Sequence, residues 1–144
     1  MPARQGRVVT RVRCVTEMGM GVDVHGGDAT KAACRAVSDA IRHSSLGFFR
    51  LLGKTAHDMH VDVTIGVPHP ETVDIAVVAA QLPYGTVTVT AILGGLEIPG
   101  TDGVDAILIA NAAIVVSLDD DAAPARRAGG AGTPDADVGQ GAQR

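Results

Sequence analysis

The order of hydrophobic and polar positions predicts a strand, a helix and a second strand in the first half of the chain. Residues 8–17 alternate between apolar and polar side chains, which is the two-residue period of a strand covered on one face. Residues 29–43 place small apolar side chains on one stripe and charged ones opposite, as an amphipathic helix does. Alternation returns at residues 61–67 and predicts the second strand.

Prolines and glycines divide the second half of the chain. Pro68-His-Pro70 ends the second strand and starts a helix that extends to about Leu82, because proline fits the first helical turn. Residues 87–93 alternate again as a third strand, and residues 94–100 form a glycine-rich loop. Residues 105–118 are apolar on both faces, which predicts a central strand.

The predicted order β-α-β-α-β-β belongs to the α/β class, with an α+β-like arrangement in which two helices cover one face of a four-stranded sheet. Residues 1–118 are predicted to form a single domain. Residues 119–144, rich in Ala, Gly, Pro and Asp, are predicted to be a disordered tail. The other sheet face of so small a domain is either solvated or packed against copies of the chain. A cyclic homo-oligomer is therefore expected.

Composition limits the partners of this chain. Its 144 residues are 46% hydrophobic and only 2% aromatic, so aliphatic side chains build the core. It has one tyrosine, no tryptophan and a net charge of −4, which argues against a surface that binds nucleic acid. No apolar run approaches the ~20 residues that span a bilayer, and the polar first residues do not resemble a signal peptide. We expect a cytoplasmic protein without nucleic-acid or membrane partners.

Candidate chemistry is concentrated around the first predicted turn, Glu17-Met-Gly-Met-Gly-Val-Asp-Val-His-Gly-Gly-Asp28. Imidazole is the usual proton shuttle of enzymes that work near neutral pH, and Glu17 or Asp23 would orient that of His25, so these three are the candidate catalytic residues. The glycines of the turn would let backbone N–H groups approach a substrate oxygen. These glycines are Gly19, Gly21, Gly26 and Gly27.

The same turn has two other interpretations. Asp23, His25 and Asp28 have a spacing that is compatible with one divalent metal ion, but the pattern is not a recognised metal signature and no cofactor is predicted. Alternatively, Asp28 only caps the following helix, while Asp23 and His25 hydrogen-bond each other. The alternative for Glu17 is an ion pair with Arg11, Arg13 or Arg35.

Further polar positions are candidates for binding substrate. Arg35, on the polar face of the first helix, either holds an anionic group or is solvated. His69 either reaches the site or caps the helix that follows it. Asn111 is either a structural bridge or a hydrogen-bonding partner of substrate. The second glycine-rich loop adds Gly94, Gly95 and Glu97.

Several segments together resemble a small bacterial family of conserved hypothetical proteins. These segments are Met18-Gly-Met-Gly-Val-Asp-Val-His-Gly-Gly-Asp-Ala-Thr-Lys-Ala-Ala33, Val67-Pro-His-Pro-Glu71, Leu82-Pro-Tyr-Gly85, Gly94-Gly-Leu-Glu-Ile-Pro-Gly100 and Asp105-Ala-Ile-Leu-Ile-Ala-Asn111. The resemblance spans residues 8–118, and it implies no particular reaction.

A fainter resemblance is to one repeat of the ring-opening amidohydrolases, cyanuric acid hydrolase and barbiturase. Those enzymes have three similar repeats around a pseudo-threefold axis, with paired Ser and Lys residues near the centre. Thr16-Glu-Met-Gly-Met-Gly21 and Leu93-Gly-Gly-Leu-Glu97 are similar to two of their glycine-rich segments. However, Leu93 stands in place of the serine and Val15 in place of the lysine. The resemblance therefore implies a fold and a homotrimer rather than serine chemistry.

Together these features predict a hydrolase-like enzyme with acid–base chemistry, which hydrolyses or isomerises a small polar compound, such as a cyclic amide, between subunits. His25 is the predicted proton shuttle, Glu17 or Asp23 its partner, and Arg35 the substrate anchor. The alternative is a non-catalytic metabolite-binding or assembly module of the same fold. Full engagement of Asp23, His25 and Glu17 with the backbone or one another, with no open cavity beside them, would favour that module.

Overall fold

The computed structural model describes residues 9–42 and 55–120, and these residues form one five-stranded sheet with helices packed on one face. The strands are β1 (Thr10–Asp23), β2 (His60–Val67), β3 (Thr86–Leu93), β4 (Leu96–Ile98) and β5 (Ile107–Asp120). The helices of the described ranges are α1 (Ala29–Arg42), α2 (Ile75–Ala79) and the 3-10 helices Ala56–Asp58 and Pro70–Thr72.

Strand β5 lies at the centre of the sheet. The strand order is β1-β5-β2-β3, and β4 also pairs with β5. β5 is antiparallel to β1, β2 and β4, whereas β2 and β3 are parallel and are connected through α2. β1, β2 and β3 therefore all finish at the same end of the sheet, which we call the carboxyl end.

The predicted α/β class and the placement of the helices on one sheet face are confirmed, but the described sheet has five strands rather than four. The additional strand is β4, which lies within the segment 94–100 that the sequence predicts as a loop. Its three residues pair with Ile107–Ile109. A strand this short shows too few positions for a two-residue period to be recognised in sequence.

Strand β1 extends to Asp23, beyond the end predicted from its alternation at residue 17. A bulge between Arg13 and Val15 shifts its register against β5, so that the later odd-numbered positions face α1. Gly19 is one of these positions, and a Cβ there would lie 2.3 Å from the carbonyl oxygen of Ala36. The glycine therefore lets α1 lie close to the strand, and the turn is confined to residues 24–28.

The core lies between the helices and the covered face of the sheet. From α1 it takes the buried stripe Ala29, Ala32, Ala33, Ala36, Val37 and Ala40. From β5 it takes the even-numbered residues Leu108, Ala110, Ala112, Ile114, Val116 and Leu118. The small side chains of α1 explain its close approach to the sheet, because alanine side chains occupy little space between the helix and the strands.

The uncovered face is the opposite face of the sheet, which no helix of the described ranges covers. Asn111 lies on this face and is exposed. Its amide is therefore open to solvent and needs no buried partner, unlike the buried position that its apolar neighbours in sequence suggest.

The predicted helix between Pro70 and Leu82 is in fact two shorter elements. After the 3-10 helix Pro70–Thr72, the carboxylate of Asp74 accepts N–H groups at the start of α2, from Ala76 at 3.1 Å and Val77 at 3.2 Å. Asp74 thus begins a new helix, because it satisfies backbone donors that would otherwise lack partners.

Two predicted segments fall mainly outside the described residues. Of the predicted tail 119–144, residues 119 and 120 belong to β5, and residues 121–144 are not described. Most of the connection between α1 and β2, residues 43–54, is also not described. Within the described ranges, no helix is both long and apolar enough to cross a membrane.

Candidate functional site

Most of the predicted site residues lie at the carboxyl end of the sheet. Asp23 is the last residue of β1 and Glu97 is the middle residue of β4, and both pair with Leu108 from opposite sides of β5. Residues paired in this way point to the same sheet face, so both carboxylates project to the face that carries the helices. With neighbouring strands about 4.8 Å apart, their Cα atoms are roughly 10 Å apart.

Asp23 is almost fully buried, with 1% of its surface exposed. One carboxylate oxygen accepts the N–H of Asp28 at 2.9 Å, and the other lies 3.6 Å from the Lys31 ammonium and 3.7 Å from the Arg35 guanidinium. The hydrogen bond from Asp28, aided by these two cations and opposed by desolvation, holds the pKa of Asp23 below its ordinary value. This carboxylate therefore stays ionised and holds the turn in place.

Asp28 caps α1, as one interpretation of the sequence predicts. Its carboxylate accepts the N–H of Lys31 at 3.1 Å. One turn later, the guanidinium of Arg35 donates to the carbonyl of Val22 as well as facing Asp23. Asp28 and Arg35 thus both help to attach α1 to the end of β1.

His25 lies in the turn and its side chain is 80% exposed. The imidazole faces Asp105 at 3.9 Å, beyond hydrogen-bond distance, rather than Asp23 or Glu17. The next two residues, Gly26 and Gly27, have φ angles of 88° and 60°, a left-handed conformation that glycine adopts without strain. A Cβ at either glycine would meet nothing within 4 Å, so the surface of this turn is open.

The side chains of His69 and Glu97 form a hydrogen-bonded pair at this end of the sheet. The Nε2 atom of His69 lies 2.9 Å from the Oε2 atom of Glu97, and both side chains remain partly exposed. The other ring nitrogen, Nδ1, is 3.9 Å from Glu71 and so is not hydrogen-bonded to it. This arrangement fixes the orientation of the imidazole while leaving one ring nitrogen accessible.

Two glycines of the β3–β4 connection let Glu97 come close to His69. A Cβ at Gly94 would lie 3.0 Å from the Cα of Gly66 in β2, and one at Gly95 would lie 2.0 Å from the carbonyl oxygen of Ile109 in β5. Gly95 also has a φ of 64°. The chain can therefore cross the end of β2 and place β4 beside β5, because these positions lack side chains.

Glu17 is not part of this cluster. It lies six residues before Asp23 in the same strand, which corresponds to roughly 20 Å. It faces Ile41 and an apolar cavity instead, and it forms no ion pair with Arg11, Arg13 or Arg35. Gly19 and Gly21 lie between the two places, against α1.

The described residues contain no group of three or more His, Cys, Asp or Glu side chains that could hold a metal ion. The carboxylates of Asp23 and Asp28 each accept a backbone N–H, and the imidazole of His25 points to Asp105.

Sequence reasoning missed Lys31 and Asp105. Lys31 is three residues after Asp28 on α1, so helical spacing could have indicated that it returns to the turn. Asp105 precedes β5 in a segment without periodicity, and no local pattern connects it with His25 eighty residues earlier.

The chain is similar to one described protein family and to a protein of known structure. A family described as "Conserved hypothetical protein (Lin0512_fam)" matches residues 13–116, which include all the candidate site residues. A crystal structure of an FtsZ-like protein of unknown function from Nostoc punctiforme is 38% identical, with a TM-score of 0.71, and the match covers 78% of this chain and 99% of that one. No curated protein matches the chain.

Proposed function

The chain belongs to the Lin0512 family of conserved hypothetical proteins, and from its geometry we propose that it is a small-molecule enzyme whose acid–base pair is His69 and Glu97. The observation that carries this proposal is the 2.9 Å contact between the two side chains. A carboxylate on one ring nitrogen selects the tautomer of an imidazole and stabilises its protonated form, while the other ring nitrogen exchanges a proton with substrate.

His69 supports this role better than His25, the shuttle that the sequence predicts. Its carboxylate partner is within hydrogen-bond distance, whereas that of His25 is 3.9 Å away. His25 is then a substrate contact on the open side of the turn, and the N–H groups of Gly26 and Gly27 are donors to a substrate oxygen. Asp23 and Arg35 act by holding the turn and α1 in position.

The substrate class remains the one that the sequence predicts, a small polar compound such as a cyclic amide that is hydrolysed or isomerised. The predicted substrate class follows the resemblance to cyanuric acid hydrolase and barbiturase, and this resemblance determines which compounds to test first. These are cyanuric acid, barbituric acid, hydantoin and dihydrouracil.

We further propose that a second copy of the chain covers the uncovered face, as the predicted homotrimer requires. One half of this face carries exposed apolar side chains, with Met18 75% and Leu96 61% exposed. The other half carries charges of both signs, Arg11 and Asp119 among them. In a cyclic trimer the positive part of this face on one copy can meet the negative part on the next copy, because each charge then meets its opposite.

The proposed activity is tested by measuring turnover of these four compounds. NMR of the purified full chain then shows whether any of them shifts the ring signals of His25 or His69. Loss of a general acid–base group reduces the rate by about 10²- to 10⁴-fold. We expect that loss in His69→Asn and a smaller loss in Glu97→Gln, which keeps a hydrogen bond but removes the charge. His25→Asn is the matched control and should change KM more than kcat.

Three other outcomes are informative. Equal turnover by wild type and His69→Asn would remove this pair from the mechanism. Turnover abolished only in His25→Asn would restore the role that the sequence predicts for that residue. If none of these compounds is turned over and none shifts the ring signals of His25 or His69, the proposed substrate class is wrong.

The alternative is a non-catalytic module that binds a metabolite or supports an assembly. The full engagement of Asp23 with Asp28, Lys31 and Arg35 favours it, because such contacts stabilise a turn without leaving a reactive group. Saturable shifts of the His25 or His69 signals with no turnover would support this alternative over the enzyme.

A further inference from the structure

A second candidate site lies away from the carboxyl end of the sheet, on the face that the helices cover. It is an apolar cavity of about 240 Å³. The residues that line it come from β1, α1, the start of β2 and the residue before it, the segment after α2, and β5. They are Glu17, Ile41, Met59, Val61, Leu82, Pro83, Tyr84, Ile114 and Val116.

The cavity is large enough to hold a small organic molecule. An engineered apolar cavity of about 150 Å³ in another protein stays free of water and binds benzene. Protein interiors are otherwise close-packed, and voids larger than a water molecule are few. A half-enclosed apolar space with a few polar groups on its wall is the usual form of a small-molecule site.

Glu17 is the one charged residue among the described residues that line the cavity, whose surface is otherwise almost entirely apolar. It is half-buried, and it pairs with Ile114 of the neighbouring strand β5, which also lines the cavity. Among the residues that the structure describes, its carboxylate has no hydrogen bond or ion pair. A carboxylate beside apolar walls attracts a cation and repels an anion, because few water molecules screen it there.

Tyr84 also lines the cavity. Its ring contacts the imidazole of His57 edge to face, with the ring centroids 5.9 Å apart and an angle of 84° between the planes. This contact helps to fix the ring beside the cavity. An aromatic ring is also a favourable neighbour for an organic cation.

We propose that this cavity binds a small organic ammonium compound, whose apolar part fills the space between Ile41, Val61 and Val116 and whose ammonium group pairs with Glu17. The site is separate from the His69–Glu97 pair. The two proposals can therefore fail independently.

The experiment uses the intrinsic fluorescence of the full chain. Tyr84 is the only tyrosine and the chain has no tryptophan, so the signal comes from the wall of the cavity. The probes are n-hexylammonium chloride, hexan-1-ol and sodium hexanoate, which share one apolar tail and differ in head-group charge. We expect saturable binding of the ammonium compound, weaker binding of the alcohol and the weakest binding of the carboxylate.

Two matched variants separate the effect of Glu17 from that of overall charge. Glu17→Gln should weaken binding of hexylammonium by about two- to fivefold, as the loss of a partly exposed ion pair does, and should leave hexan-1-ol unchanged. Asp62→Asn makes the same change in net charge on the uncovered face and should have no effect. Ile41→Phe, which fills part of the cavity, should weaken all three probes.

The thermal midpoint of each variant confirms that it is folded before it is titrated. Equal affinities for the three probes, or unchanged hexylammonium binding in Glu17→Gln, would show that the carboxylate does not select the ligand. Absence of saturable binding to folded wild-type protein would overturn the site altogether. Full retention of binding in His69→Asn is expected, because that residue belongs to the other site.

Discussion

Two carboxylates on one face of the sheet differ because of the groups that surround each one. Asp23 is buried, and its oxygens are occupied by a backbone N–H and two cations. Glu97, which pairs with Leu108 from the opposite side of β5, is partly exposed and faces the imidazole of His69. The first arrangement stabilises structure, whereas the second leaves a carboxylate and an imidazole accessible to a ligand.

Asp23→Asn tests the structural role of that carboxylate through the dependence of stability on pH. Because folding lowers the pKa of Asp23, its ionised form stabilises the folded state above the ordinary carboxyl value of 3.8 and loses that effect as the pH falls through the lowered folded value. The Tm of the variant should therefore be below that of wild type at pH 7, and the two should converge at the acid end of the range. Thermal unfolding followed by circular dichroism from pH 7 to about pH 2 measures this difference.

Asp102→Asn is the control for that series, since Asp102 is an exposed carboxylate in the loop before β5, outside the uncovered face. Its Tm should follow that of wild type throughout. A Tm difference for Asp23→Asn that stays constant with pH would mean that the charge of Asp23 is not what stabilises the turn.

At the scale of elements, the contact between α1 and β1 depends on the absence of side chains. A Cβ at Gly21 would lie 2.1 Å from the carbonyl oxygen of Ala32 and 2.3 Å from the backbone nitrogen of Ala36. Both atoms belong to the helix backbone, which cannot rotate away as a side chain can. The glycine therefore determines how closely the helix approaches the strand whose end carries Asp23.

Gly21→Ala should lower the free energy of unfolding by about 1–3 kcal/mol, because overpacking forces α1 away from the sheet. Gly66→Ala is the matched control within β2, since a Cβ there would be 3.6 Å from the nearest atom, an ordinary contact distance. Urea denaturation of the two variants and wild type provides the comparison. Similar stabilities for Gly21→Ala and Gly66→Ala would show that the close approach of α1 is not needed.

The lengths of the elements explain which of them could be predicted. α1 has 14 residues with a continuous buried stripe, so its period is visible in the sequence to within one residue of the observed end. α2 has five residues and β4 has three. Elements this short form because of tertiary contacts and capping groups such as Asp74, and their own patterns are too brief to predict them.

For the whole molecule, the uncovered face and the carboxyl end of the sheet are connected through β4. By their pairing with Ile109 and Ile107, Leu96 and Ile98 lie on the uncovered face, while Glu97 between them points to the opposite one. A partner that covers Leu96 and Ile98 would therefore also restrict the position of Glu97 beside His69. In this way assembly could support the proposed site.

Met18→Asp tests whether a second copy covers this face. Sedimentation velocity should give a trimer of the 14.6 kDa chain for wild type and a smaller species for the variant, because a charge would be buried without a partner. Val104→Asp is the control, since Val104 is similarly exposed but lies in the loop before β5. A monomeric wild-type chain would contradict the proposed trimer.

The sequence by itself determined the fold class, most of the long elements and the gathering of Asp23, His69 and Glu97 at one end of the sheet. Periodicity shows which side of an element is buried, and successive strands of the same direction end together. Only the tertiary structure decided that His69 meets Glu97 and that Glu17 faces a separate cavity. Those contacts depend on strand register and on the close approaches permitted at Gly94 and Gly95, which join parts of the chain that no local pattern connects.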